Sequence, residues 1–101
     1  MVEANMSKVV CIVTYKEITD EAKLAAYAAM APATVQKYGG RFLARGYPVA
    51  LRESGQQERT VVGIWESIDV ALQWYESPEY KECLGVLGDG AVRDIKFLDH
   101  I

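Results

Sequence analysis

The sequence predicts an α+β sandwich in which a four-stranded antiparallel sheet carries its helices on one face. Three observations lead to that class. Apolar segments follow the order βαβ and then βαβ, as two half-repeats without clear sequence identity. The junction Tyr38-Gly39-Gly40-Arg41-Phe42-Leu43-Ala44-Arg45-Gly46 ends a helix with glycines, which reach positive φ at little steric cost, and a strand starts at once. The junction Trp74-Tyr75-Glu76-Ser77-Pro78-Glu79-Tyr80 ends another helix, because proline disfavours helical geometry in the residue before it, and a further helical turn follows.

Lys8 to Lys16 reads as the first strand, since Val9, Val10, Cys11, Ile12, Val13 and Tyr15 form a β-branched and aromatic run. Thr19 is the expected N-cap of the next helix, with Asp20 and Glu21 complementing the dipole of its first turn. Leu24, Tyr27, Ala28, Ala31, Val35 and Tyr38 then form one apolar stripe at helical spacing. Pro32 falls inside that stripe, so a kink or break is expected between Ala28 and Pro32.

Gly40 to Gly46 is the second strand, and Val49 to Glu53 continues as extended chain into a polar turn at Ser54-Gly55-Gln56-Gln57. Arg59 to Glu66 is the third strand. Ser67 or Asp69 caps a short helix with Ile68, Ala71, Leu72 and Tyr75 inward and Trp74 beside them. Tyr80, Cys83, Leu84 and Leu87 repeat the helical spacing until Gly88-Asp89-Gly90, and Val92 to Ile101 is the last strand. Residues 1–7 are polar and aperiodic and read as a loosely held extension, with Met6 a candidate start, so the domain is expected over residues 8–101.

This order with local crossovers defines a ferredoxin-like sandwich. An antiparallel sheet with one wet face alternates apolar and polar residues, yet Val9 to Val13 and Val61 to Trp65 are apolar at both parities. The second face therefore needs a cover. A chain of 101 residues has no third layer to offer, so the economical cover is a second copy, giving a homodimeric α/β barrel across a two-fold axis.

Composition narrows the function. With half the residues hydrophobic and a quarter charged, the chain has the balance of a globular domain. No apolar run approaches the ~18–20 residues of a membrane span, and the N-terminus lacks the layout of a signal peptide, so no membrane role and a cytoplasmic location are expected. A net charge of −3 without a lysine/arginine cluster argues against nucleic acid. Cys11 and Cys83 lack metal or redox spacing and read as reduced, apolar side chains, and the single histidine excludes a histidine-rich metal site, so no cofactor is expected.

The tyrosine-bearing helix with Pro32, the segment Tyr38 to Gly46, the strand ending Trp65-Glu66-Ser67 and the segment Trp74 to Tyr80 together resemble the bacterial domain of unknown function 1330 (DUF1330). The resemblance covers Val9 to His100, and departs from the usual pattern at Tyr47-Pro48. It implies a dimeric α/β barrel, a superfold that also holds cofactor-free monooxygenases of quinol-type substrates, haem-degrading enzymes, chlorite dismutase-like proteins and muconolactone isomerases. Fold does not transmit function, and the family brings no agreed activity with it.

Strict alternation along the second strand places Phe42 and Ala44 on one face and Arg41, Leu43 and Arg45 on the other. With Phe42 under the helices, Arg45 is expected to point into the dimer barrel. A guanidinium cannot shed its proton, so Arg45 needs either an ion pair with Glu17, Glu53, Glu66 or Asp94, or an anionic ligand. Tyr15, Tyr27 and Trp65 are candidate walls of a pocket for an aromatic group, set against an ordinary role in core packing; Trp74, Tyr75 and Tyr80 belong to the same aromatic interior. His100 titrates near neutrality when unperturbed; on a shared face with Arg45 it would be the general base, and otherwise it is a solvated terminal residue. Gly39-Gly40 lacks a phosphate-loop pattern and Ser77 lacks a nucleophile elbow.

Two functions follow. One is a homodimer that binds a small aromatic or carboxylated metabolite between sheet and helices, with cofactor-free isomerase or monooxygenase chemistry using Arg45 as anion anchor and His100 as base. The other is a non-catalytic dimeric structural or interaction module with a structural arginine.

Overall fold

The computed structural model describes residues 7–101. The extension expected over residues 1–7 lies, Ser7 apart, outside them. The elements are β1 (Val9–Ile18), α1 (Glu21–Lys37), β2 (Arg41–Gly46), β3 (Thr60–Trp65), α2 (Ile68–Tyr75), α3 (Pro78–Leu87) and β4 (Ala91–Asp99). All three strand pairings are antiparallel and the order is β2-β3-β1-β4, the ferredoxin-like arrangement. Alternate residues of β1, Val9, Cys11, Val13 and Tyr15, are buried with Leu24, Tyr27 and Val35 of α1 and with Tyr80 and Cys83 of α3, so the helices cover one face of the sheet. Among the described residues no helix is long and apolar enough to cross a membrane.

Local chemistry sets the boundaries. Asp20, not Thr19, is the N-cap of α1: its side chain accepts from the Lys23 N–H at 3.0 Å. Thr19 instead donates its hydroxyl to the Asp89 carbonyl at 2.8 Å, while the Thr19 and Asp20 N–H groups both donate to Gly90 O. The turn before β4 is thereby stitched to the start of α1. The expected break at Pro32 does not occur, and α1 is continuous. Proline deletes only the bond its own N–H would make, and Tyr27, Ala31, Thr34 and Val35 bury the helix on both sides of it.

Ser67 caps α2, accepting from Val70 N–H at 3.2 Å. Ser77 caps α3, with Pro78 as its first residue, where a missing N–H costs nothing. The Ser77 hydroxyl accepts from Tyr80 N–H and donates to Trp74 O at 2.7 Å, which explains a buried serine without nucleophilic chemistry. The chain from 47 to 59 holds no strand; it turns at Arg52, where Gly55 N–H donates to Arg52 O and Glu53 takes φ 55°.

The two sequence junctions meet in space. Tyr38, at the end of α1, donates its hydroxyl to Glu79 Oε1 at 3.0 Å, and Lys37 Nζ donates to Oε2 of the same carboxylate. These contacts, the Lys37 bond first, hold the Glu79 carboxyl down at about 2. Because the folded value lies below the ordinary one, the contribution is present above the usual carboxylate range and lost as pH falls from about 4.3 through about 2. Glu79→Gln is therefore expected to flatten the loss of stability in that window, as read from denaturant midpoints against pH. An unchanged acid limb would show that the bridge contributes nothing.

One irregularity in β2 decides where its side chains go. Phe42 pairs with Gly63 and Ala44 with Val62, so Leu43 is an extra residue without a partner on β3. Arg45 then pairs with Val61, which shares the inward parity of Gly63 and Trp65. The bulge overturns the expected alternation: Arg45 lies on the same face as Phe42, under the helices, with its guanidinium carbon 5.1 Å from the Phe42 ring centroid. The other face of the sheet carries an apolar patch bordered by Arg41 and by the Lys96–Asp94 ion pair. Leu98, Val10 and Ile64 form one row across β4, β1 and β3, Ile12 lies beside Val62 in the next, and Leu98 is 48% exposed.

Candidate functional site

Between the sheet and α1 lies a cavity of about 60 Å³, roughly four to six times the minimum that one water requires. Its existence follows from residue size. Ala28, Ala31 and Pro32 present a low wall on α1, and Gly63 supplies no side chain at an inward position of β3. A Cβ built on Gly63 would meet only the Arg41 carbonyl, at 3.4 Å, so space rather than backbone geometry distinguishes this glycine. One end is closed by aromatic rings: Trp65 and Trp74 have centroids 4.8 Å apart, and Trp74 and Tyr80 4.2 Å apart. Trp74 Nε1–H donates to Thr34 Oγ1 at 3.0 Å, and that hydroxyl donates to Ala31 O, so the indole is fixed against α1.

Polarity enters through three arginines, from β2, from β4 and from the residue just before β3. Arg59 and Arg93 flank Tyr15 on β1: Tyr15 pairs with Arg93 on β4, and its N–H donates to Arg59 O at 2.9 Å. Both guanidinium carbons lie over the Tyr15 ring, at 5.6 and 5.5 Å from its centroid. Arg45 enters from β2, one row further along. Among the described residues lining the cavity these arginines are the only charged groups, and no carboxylate lies within 4.0 Å of any of them. The expected partners of Arg45 are elsewhere: Glu66 pairs with Lys8 and Asp94 with Lys96. Arg59 Nε is buried without an acceptor.

Arg93 is the most embedded of the three. It donates to Tyr27 Oη at 3.0 Å and to Tyr80 Oη at 3.3 Å, and the two hydroxyl oxygens are themselves 2.5 Å apart. Burial raises the pKa of both phenols above the ordinary tyrosine value, so both stay protonated at neutral pH. Burial likewise pushes the Cys11 thiol, in the cavity wall, up to about 11, leaving it a thiol rather than a nucleophilic thiolate. The arrangement stabilises negative charge and offers no base.

Of the residues expected to form a site, Tyr15, Tyr27, Arg45 and Trp65 all line this cavity. His100 does not. Its N–H donates to Lys8 O beside the first residue of β1, and its side chain is exposed. Seven residues of strand, roughly 23 Å, separate that end from Tyr15. Within one chain the structure therefore does not bring His100 and Arg45 together as base and anchor. Tyr80, of the same aromatic interior, lines the cavity too, as do Arg59 and Arg93, given no role in the sequence analysis. The sequence carries a signal for the two arginines: each continues the inward parity of a strand, in line with Val61 and Trp65 or with Ile95 and Phe97, where an apolar residue is the ordinary choice.

The family model described as "Domain of unknown function (DUF1330)" matches residues 8–101, and the chain belongs to that family. No curated protein matches it in sequence. Several solved structures share the fold. A protein of unknown function from Rhodopseudomonas palustris, RPA0582, is 12% identical and superposes with a TM-score of 0.75 over 95% of this chain and 84% of its own. SnoaB, a cofactor-independent oxygenase from Streptomyces nogalater, is 14% identical, with a TM-score of 0.69 over 94% of each chain. A protein of unknown function from Bacteroides fragilis, described as dimeric and ferredoxin-like in fold, is 12% identical, with a TM-score of 0.56 over 92% of this chain and 96% of its own. At these identities the likeness is one of fold.

Proposed function

We propose that the protein binds a small aromatic carboxylic acid in the cavity between the sheet and α1, and does so as a homodimer joined through the apolar outer face of the sheet. The observation that carries the reading is the convergence of Arg45, Arg59 and Arg93 on an aromatic-walled cavity without a carboxylate to pair them. Arg59 and Arg93, partly buried on either side of Tyr15, repel one another and lose hydration, so an anion that reaches them, with the exposed Arg45 at the mouth, forms charge-assisted bonds and relieves both costs. The ring contacts suit a planar substituent. The alternative of a structural arginine required an ion pair, and none is found for these three among the described residues.

The reaction class this supports is cofactor-free chemistry on the bound acid. SnoaB, which shares the fold, is described as a cofactor-independent oxygenase. The cavity's donors favour an anionic form of the ligand, while the described lining residues include no histidine or carboxylate to remove a proton from carbon. Homodimer formation is supported by the rows Leu98–Val10–Ile64 and Ile12–Val62, and by the dimeric description of the Bacteroides fragilis protein.

Thermal unfolding with benzoate tests the site. At ~100 times its dissociation constant a ligand stabilises by ~2.7 kcal/mol, readily seen in a domain of this length. Arg45→Ala is expected to weaken benzoate about tenfold and leave the apo-protein's melting temperature within a few degrees of wild type. Equal responses to benzoate and uncharged benzamide, or none to either, would overturn the anion site. Sedimentation at micromolar concentration should give twice the monomer mass; a monomer sinks the dimer.

A further inference from the structure

Hydrogen counting at Tyr27 and Tyr80 extends the reading above and rests on it. Two phenols carry two hydrogens, and their 2.5 Å contact uses one of them, whichever ring donates. Both contacts with Arg93 use phenolic lone pairs, because a guanidinium only donates. The second hydroxyl hydrogen has no acceptor among the described residues, although both rings are buried and both line the cavity. A buried donor left unmatched is costly, so its direction is a statement about what the cavity holds.

We propose that the Tyr27–Tyr80 pair, backed by Arg93, is an oxyanion donor for a second ionised oxygen of the ligand, so that the ligand class is an aromatic acid bearing a phenolate or enolate oxygen besides its carboxylate. The layout of the strands separates the two functions. Arg45 stands on β2 and Arg93 on β4, three strand steps or roughly 14 Å apart at the backbone, too far for one carboxylate to satisfy both. Arg45 and Arg59 form the carboxylate end; Arg93 with the two phenols forms the other. The groups facing the phenols are Arg93 from β4, Tyr15 from β1 with Arg59 of the β3 side beyond it, Tyr75 from α2 against the Tyr80 ring, and the protonated Cys11 thiol in the same wall. Nothing there competes as an anion. Burial raises the pKa of both phenols, so the donor persists across the neutral range.

The probe is para-hydroxybenzoate with a nitro group ortho to its hydroxyl, whose phenolate absorbs in the visible, with plain benzoate as the reference. Titrating the saturated complex by absorbance should show the phenol ionising at least one pH unit below its value in free solution, a tenfold preference for the phenolate. The double variant Tyr27→Phe/Tyr80→Phe, which keeps ring volume, should return most of that shift when saturated with the probe, its folding being checked by thermal unfolding. If wild type binds both compounds and the bound phenol ionises at its free-solution pH or above, the oxyanion donor is wrong and the carboxylate site stands. A full shift in a folded double variant likewise overturns the donor, leaving Arg93 as its cause. If neither compound binds, the carboxylate site falls and takes this inference with it.

Discussion

Arg59→Met should make the apo-protein more stable and its ligand-bound form harder to reach. Among the described residues Arg59 Nε is buried without an acceptor, and no carboxylate partners the guanidinium. An unsatisfied buried donor costs about 1–3 kcal/mol, whereas the cation–π contact with Tyr15 that methionine would forfeit is worth about 0.5–1 kcal/mol at a partly exposed site. The net is a gain of about 1 kcal/mol, or about 4–8 °C in melting temperature for a domain near this size. A charge-assisted hydrogen bond contributes about 1.5–3 kcal/mol, so affinity for benzoate should fall about 10- to 100-fold. Thermal scans with and without benzoate read both effects. A variant that melts lower and binds as well as wild type would make Arg59 a structural residue.

Gly40→Ala should be the most damaging of the small substitutions, for a reason unrelated to ligand. A Cβ at Gly40 would stand 2.6–2.7 Å from three atoms of the Trp65 ring, inside van der Waals contact. That ring cannot swing clear, because Trp74 lies against its other side with centroids 4.8 Å apart, and Trp74 is fixed by Thr34 and Tyr80. The backbone is no freer: Gly40 N–H donates to Val35 O at 3.0 Å where the chain leaves α1. Overpacking of this kind costs typically about 1–3 kcal/mol. The denaturation midpoint should fall accordingly, while Gly39→Ala, at φ +81° with nothing within 4 Å, tests backbone strain alone. Equal losses in the two variants would show that conformation, not the indole, sets the requirement.

The fold was legible because its signals are local. Glycine after α1, proline at the start of α3 and the run of β-branched residues in β1 each act within a few residues of where they stand, and the order of elements then leaves few topologies. Apolar residues at both parities also marked the patch of Val10, Ile12, Val62 and Ile64 on the outer face. The site was legible only in part. Tyr15, Tyr27 and Trp65 were found because large aromatic residues mark interiors. Arg45 was found, but assigned to the wrong side of the sheet, because a bulge adds a residue without any signature in the stretch Phe42-Leu43-Ala44-Arg45. Arg59 and Arg93 were passed over for a different reason: an arginine near a strand end reads as a solvated edge, and only pairing with Tyr15 from both sides shows that the two converge. His100 takes the solvated, terminal place that was the alternative to a base, because the end of β4 lies far from Arg45.

The extra residue in β2 also locates where this architecture is cheapest to rewrite. β2 is an edge strand, bonded to β3 alone, so a change of one residue in its length disturbs a single ladder. Drawing Leu43 into the ladder opposite Val62 would restore strict alternation and turn Arg45 to the opposite face, while the side chains that make the cavity's aromatic end stay as they are. Charge at the mouth can thus be gained or lost by a one-residue slip of register rather than by substitution. A comparison of sequences that scores only matched positions would not register the event.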